Sequence, residues 1–249
     1  MQQYIIGNWK MNGTKAEAQK LASGFLKRIQ EAERPLPKIV LCPSYPYLTT
    51  VFDILKNSPI EMGAQDVFPE KSGPYTGDVS AIQLTDVGCK YVIVGHSERR
   101  LHHKEDCALI RKKNDVAIKA GLRPILCIGE SAEERKSGKA LHVISSQLKS
   151  DLPESFSPHE MIIAYEPLWA IGTGHLPSHE EIEEVMGLIK HELSLHVSGG
   201  GLVPILYGGS VTAENALGLL ELPHVDGLLV GGASLKLDDF WDVINASQR

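Results

Sequence analysis

The sequence is poor in the features that mark membrane, secreted and nucleic-acid-binding chains. No run approaches the roughly 20 apolar residues a membrane-spanning helix needs. The opening residues, Met1-Gln2-Gln3-Tyr4-Ile5-Ile6, lack both a basic segment and a long apolar stretch, so no secretory signal is visible and a cytoplasmic location is expected. The glycosylation sequon Asn12-Gly13-Thr14 carries no meaning without a secretory route. With a net charge of −6 and no long basic run, neither nucleic acid nor an anionic membrane surface is an expected partner. The four cysteines, Cys42, Cys89, Cys107 and Cys127, include no C-x-x-C pair; they lie in or beside apolar runs and read as reduced thiols of a cytosolic protein. There is no low-complexity segment and no linker-like shift in composition.

What is present is an ordinary soluble composition, 43% hydrophobic and 22% charged, over 249 residues. Short apolar runs recur at Tyr4–Trp9, Lys38–Cys42, Ile60–Ala64, Tyr91–Val94, Arg123–Ile128, Met161–Tyr165, Val203–Tyr207 and Gly227–Val230. Such runs suit strands buried on both faces of a parallel sheet. Helical patterns lie between them. Thr14–Glu33 opens with a capping box, Glu105–Ala120 stops at Gly121, and Ser178–Val197 carries Glu180 and Glu181 in its first turn. The β-then-α alternation predicts parallel strands with right-handed crossovers. Eight such units without a break predict an α/β fold, a single (β/α)8 barrel over residues 1–249. One connection, Asp66–Val79, is unusually long, as functional loops and interface arms are.

In such a barrel, sites form at the C-terminal ends of the strands. Those positions hold Asn8 and Lys10 after the first strand, His96, Ser97 and Glu98 after the fourth, Glu166 after the sixth, Gly208-Gly209-Ser210 after the seventh, and Gly231-Gly232 after the eighth. Two glycine pairs, each leading into a helical segment, let backbone N–H groups approach an anion, and the last two loops are a common phosphate site in this fold. Glu166 is followed by Pro167, which stiffens the chain, then by the apolar tip Leu168-Trp169-Ala170-Ile171 and by Gly172, Thr173 and Gly174. The pattern reads as a lid hinged beside a carboxylate base; the plain alternative is a strand-to-helix loop with its apolar residues tucked into the core. A histidine at a helix start has its charged form disfavoured by the dipole, so His96 is expected to be neutral and a hydrogen-bond donor. The other histidines, including His102-His103, read as surface or structural. His175 and His179 have Pro177 between them and no carboxylate to complete a set, so no metal site is read. Gly95-His96-Ser97-Glu98-Arg99 misses a nucleophile elbow because its last position is Arg99. A Schiff-base aldolase acting through Lys10 and a non-catalytic barrel are the competing classes.

Asn8-Trp9-Lys10-Met11-Asn12, Tyr91 through Arg100, Ala164 through Gly174 and Leu206 through Val211 resemble the signature stretches of the triosephosphate isomerase family, in order and at ordinary spacing along essentially the whole chain. The resemblance implies interconversion of dihydroxyacetone phosphate and D-glyceraldehyde 3-phosphate, with no cofactor. It implies Glu166 as base, His96 as electrophile, and Asn8 and Lys10 on the substrate oxygens. Gly172, Ser210, Gly231 and Gly232 match the phosphate grip. It further implies a homodimer in which the loop Asp66–Val79 reaches the partner, with Gln65 and Thr76 in the expected places. Glu98 and Ser97 are read as supporting, Glu98 either assisting proton transfer or pairing with a nearby cation.

Overall fold

Every predicted strand forms, and their ladder closes on itself. A computed structural model of the chain describes residues 2–171 and 177–247. The strands are β1 (Tyr4–Asn8), β2 (Lys38–Cys42), β3 (Glu61–Ala64), β4 (Tyr91–Val94), β5 (Arg123–Ile128), β6 (Ile162–Tyr165), β7 (Ile205–Tyr207) and β8 (Gly227–Val230). Each pairs in parallel with its successor, and β8 returns to β1 with Tyr4 opposite Gly227, giving a closed eight-stranded barrel. The helices are α1 (Lys15–Gln30), α2 (Leu48–Leu55), α3 (Ala81–Asp86), α4 (Ser97–His102), α5 (Cys107–Lys119), α6 (Ala132–Lys136), α7 (Ala140–Asp151), α8 (His179–His196), α9 (Ala213–Leu220) and α10 (Leu237–Ala246).

Local chemistry explains where the helices begin. Thr14 caps α1, its amide donating to Glu17 Oε2 at 2.7 Å while its hydroxyl accepts the Glu17 N–H. Ser178 caps α8 through Glu181 in the same manner. The expected start of α5 at Glu105 is two residues early: Asp106 is the cap, accepting the Leu109 N–H at 2.8 Å, and Glu105 is used elsewhere. After α5, Gly121 takes φ +82°, a left-handed turn that a side chain would strain.

The alternation of each strand divides the core in two. Tyr4, Ile6, Val40, Cys42, Tyr91, Ile93, Ile125, Cys127, Ile162, Ala164, Leu206 and Leu229 form one buried cluster, which is the filling of the barrel. The opposite faces of the strands pack with the helices in a larger cluster that includes Phe25, Leu41, Ile110, Ile163, Ile189 and Phe240. Continuing the inward parity past the strand ends leads from Tyr4 and Ile6 to Asn8, and from Ile162 and Ala164 to Glu166. The barrel thus delivers those two polar groups to one mouth.

The long loop after β3 is an arm. Its base is closed by the Phe68 N–H donating to Val79 O at 2.8 Å, the Phe68 and Tyr75 rings meet at 4.5 Å, and residues 71–78, Thr76 among them, are exposed. Among the described residues no helix is long and apolar enough to cross a membrane.

Candidate active site

Lys10 is held in a conformation it would not choose. Its φ is +53°, a left-handed backbone that costs an L-residue about 1–2 kcal/mol. Three hydrogen bonds impose it. The Lys10 N–H donates to Asn8 Oδ1 at 3.0 Å, and the Lys10 carbonyl accepts from both Ser44 Oγ and Gln65 Nε2 at 2.8 Å. Gln65 also donates to Cys42 O at 2.8 Å, so a residue expected on the partner-facing arm works within its own chain as the brace of Lys10. The ammonium this fixes lies 2.6 Å from Glu98 Oε1. An amine so paired is a charge, which speaks against a Schiff-base nucleophile.

Glu166 is 2% exposed and His96 5%. The imidazole Nε2 stands 3.0 Å from Glu166 Oε1, and Glu166 Oε2 accepts the Ser97 N–H at 3.1 Å. The ring is also the cap of α4: its Nδ1 accepts the Glu98 N–H at 3.2 Å. An Nδ1 that accepts leaves the proton of the neutral ring on Nε2, pointing at the carboxylate. One specific N–H thus fixes the tautomer and favours the neutral ring, a local contact beyond the helix dipole. The facing carboxylate works the other way. Burial pushes the His96 pKa down, but Glu166, its hydrogen bond and Glu98 together raise it above the ordinary value, with Lys10 opposing. For Glu166, burial pushes the carboxyl up, while His96, the Ser97 N–H and Lys10 more than offset this and hold it below the usual range. A carboxylate poised this way is ionised in the empty site. Most of the upward pull on His96 lasts only while Glu166 faces it.

A cavity of about 640 Å³ opens beside these groups, lined by Asn8, Lys10, Gln65, His96 and Glu98 and continuing to Tyr45, Asp66, His102 and His103. The glycine positions sort into two kinds. A Cβ on Gly208 would stand 3.0 Å from Glu166 Cγ, and one on Gly209 would collide with the Tyr207 hydroxyl, so this pair is needed for packing around the site. A Cβ on Gly231 would reach only Lys10, at 3.4 Å, and one on Gly232 would meet nothing within 4 Å. The second pair faces open space next to the ammonium. Ser234, fully buried, fastens this loop to the first strand through Gly231 O at 2.6 Å and Asn8 O at 3.3 Å.

The apolar tip after Glu166 is partly covered. Ala170 is fully buried, and Leu168, Trp169 and Ile171 are half-buried. Its fastenings are polar: the Trp169 indole donates to Glu130 Oε1 at 2.9 Å, and Ser210 Oγ donates to Ala170 O at 2.6 Å. Gly172, Thr173, Gly174 and His175 lie outside the described residues. Among the described residues no group of three or more His, Cys, Asp or Glu is placed to hold a metal ion.

A sequence-family model described as triosephosphate isomerase matches residues 3–247. The chain belongs to the triosephosphate isomerase family. It is 44% identical to the triosephosphate isomerase of Acidiphilium cryptum over an alignment of 257 residues covering all of both chains. It is 42% identical to that of Dictyoglomus thermophilum, over 97% of this chain and 98% of the relative. The crystal structure of triosephosphate isomerase from Bartonella henselae superposes with a TM-score of 0.91 at 38% identity, covering both chains completely.

Within this triosephosphate isomerase fold, sequence reasoning missed Glu130 and Arg135. Glu130 is fully buried, and its Oε1 accepts from Arg135, Tyr165 OH and Trp169. It sits at the C-terminal end of β5, the kind of position that drew attention to Glu166. Reading every strand end would have found it.

Proposed function

We propose that this chain interconverts dihydroxyacetone phosphate and D-glyceraldehyde 3-phosphate by proton transfer through an enediol(ate), in glycolysis and gluconeogenesis. The reading rests on one observation above the rest: His96 Nε2 and Glu166 Oε1, contributed by strands two places apart, meet at 3.0 Å at the barrel mouth that also holds Lys10. Glu166 is the base that takes a proton from one carbon and returns it to the next. A substrate carbonyl takes the place of the carboxylate in front of the Nε2–H. Once Glu166 has turned to the substrate, the main influence raising the His96 pKa is gone, while burial and the Glu98 N–H remain. The ring then donates a hydrogen bond to the developing oxyanion as a neutral imidazole. Lys10 and Asn8 bind the substrate oxygens from the first strand. Glu98 is the resting counterion of Lys10, in keeping with a supporting role; Ser97 supports through the amide that orients Glu166.

Gly231 and Gly232, with their open surroundings beside Lys10, hold the phosphate together with Ser210 and Gly172. Pro167 through Thr173 form the lid. Ser210 ties the phosphate loop to the lid through Ala170 O, so phosphate binding competes directly for a lid fastening. Closure strengthens Glu166 by removing water, and the binding energy of the unreactive phosphate drives it. No metal or organic cofactor enters this chemistry.

The chain acts as a cytoplasmic homodimer. Met11, Tyr75, Ile82 and Leu101 are exposed apolar residues on the first loop, the arm, α3 and α4, and a second copy is their natural cover. The arm, with Thr76 at its exposed tip, reaches that copy. The test is an isomerase assay on both triose phosphates. The wild type turns both over, and Glu166→Gln loses about 10²- to 10⁴-fold in kcat. An inactive wild type, or a variant near full rate, would end the proposal.

A further inference from the structure

Arg100 lies partly buried behind the site and does not line the cavity, yet its guanidinium ties the turn that carries His96 to the strand between the two reacting groups. Its Nε donates to Gly95 O at 2.8 Å, the carbonyl of the peptide that enters His96. One terminal nitrogen donates to Cys127 O, also at 2.8 Å, on β5. The same nitrogen meets Asp151 Oδ2 at 2.6 Å, on a side chain with no exposure at all. His96 follows β4 and Glu166 follows β6, so β5 is the strand between them. From β5 the ladder continues to the base: Cys127 pairs with Ala164, and Ile128 O accepts the Glu166 N–H at 2.8 Å. Gly95 is shaped to this arrangement. Its φ is +68°, and a Cβ there would stand 3.0 Å from the guanidinium.

We propose that Arg100 is a positioning residue for the reaction: its guanidinium, anchored by Asp151, fastens the β4–α4 turn to β5 and so sets the approach of the His96 ring to the Glu166 carboxylate. The inference rests on the catalytic roles given above. It requires the planar fork of arginine, because Nε holds Gly95 O while one terminal nitrogen holds both Cys127 O and Asp151; a lysine ammonium is one point on a flexible stem and cannot hold both carbonyls and the carboxylate in place. A displacement of about 1 Å at reacting groups costs about 10²-fold in rate.

The test compares Arg100→Lys with Glu192→Gln. Glu192 is a buried carboxylate on α8 whose partners, Ser145, Lys149 and His196, lie outside the site. Arg100→Lys is expected to lower kcat and kcat/KM together by about tenfold to 10²-fold with KM nearly unchanged, the pattern of an interaction that matters in the transition state. Glu192→Gln is expected to lower the melting temperature and leave kcat alone. In parallel, the ¹⁵N signals of the His96 ring in the ligand-free protein are expected to move in Arg100→Lys and to stay in Glu192→Gln. This second readout does not depend on turnover, so an inactive wild type would count against the isomerase reading while the ring signals still decide the role of Arg100. Should Arg100→Lys not fold, Asp151→Asn removes the anchor at constant shape and is expected to shift the same signals and lower kcat to a lesser degree. Wild-type ring signals with kcat within about threefold of wild type, in whichever of the two variants folds, would overturn the inference.

Discussion

The two mouths of the barrel are both ringed with charge, and they differ in what the charges do. At the N-terminal mouth stand the first residues of five strands: Tyr4, Lys38, Glu61, Tyr91 and Arg123. Arg123 donates to Tyr4 OH at 2.7 Å and lies over the same ring at 5.2 Å. Glu61 takes Lys38 at 3.5 Å and interacts electrostatically with the Tyr91 hydroxyl. Each group there has a neighbour fixed by the ladder, and the result is a plug. At the C-terminal mouth the pairs are His96 with Glu166 and Lys10 with Glu98. These also satisfy one another, but they border a cavity and stand on loops beyond the ladder. A ligand with a carbonyl and a phosphate offers each of them a replacement partner. The difference is one of replaceability: a lysine–glutamate pair stands at each end, and only the one at the C-terminal mouth borders a cavity.

That contrast breaks most visibly at His96. His96→Gln is expected to lose about 10²- to 10³-fold in kcat, the usual loss for one oxyanion donor, measured by steady-state assay in both directions. At the opposite mouth, Arg123→Met strips the Tyr4 hydroxyl of its donor and is expected to cost about 1–3 kcal/mol of stability in denaturant unfolding while kcat stays at the wild-type value. A fall in rate there would erase the distinction between the mouths. The pairing at the reactive mouth is sharpened by following the His96 ring by NMR against pH. Its midpoint is expected above the ordinary 6.5 in the ligand-free wild type and lower in Glu166→Gln, where the facing carboxylate is gone. The sign for stability follows. The raised His96 pKa gives a contribution fully present below 6.5 and lost as pH rises through the raised value. The lowered Glu166 pKa gives one present above 4.5 and lost as pH falls through the lowered value. The pair therefore stabilises the empty site most between those two limits, and the stability difference between wild type and Glu166→Gln should peak there. The smallest effect belongs to Lys38→Met. Its ion pair with Glu61 is about one-third exposed on each side, so the loss is expected within about 1 kcal/mol, with unchanged kcat.

Much of this was legible in order along the chain. Eight apolar runs fell within a residue or two of the eight strands, because strands buried on both faces must be apolar along their length. Thr14 with Glu17 and Ser178 with Glu181 announced α1 and α8, because a capping box is closed by residues three apart. The start of α5 was misread for a related reason. Glu105 falls just before the helix, and its carboxylate bonds Arg99 and Lys113 in a cluster with Asp66, contacts that no capping pattern contains. The family resemblance puts Gln65 at the dimer arm; within the chain its amide braces Lys10, 55 residues away.

The sequence by itself determined the element order, the closed parallel barrel and the chemical types gathered at its active mouth, since those depend on periodicity, local caps and strand parity. Tertiary structure alone decided that Lys10 is held at φ +53°, that His96 accepts through Nδ1 and faces Glu166 through Nε2, and that Arg100 reaches across to β5. Apart from the local His96–Glu98 cap, these are relations between groups far apart in the chain. Their geometry is set by the closed ladder, and no local rule of the chain contains it.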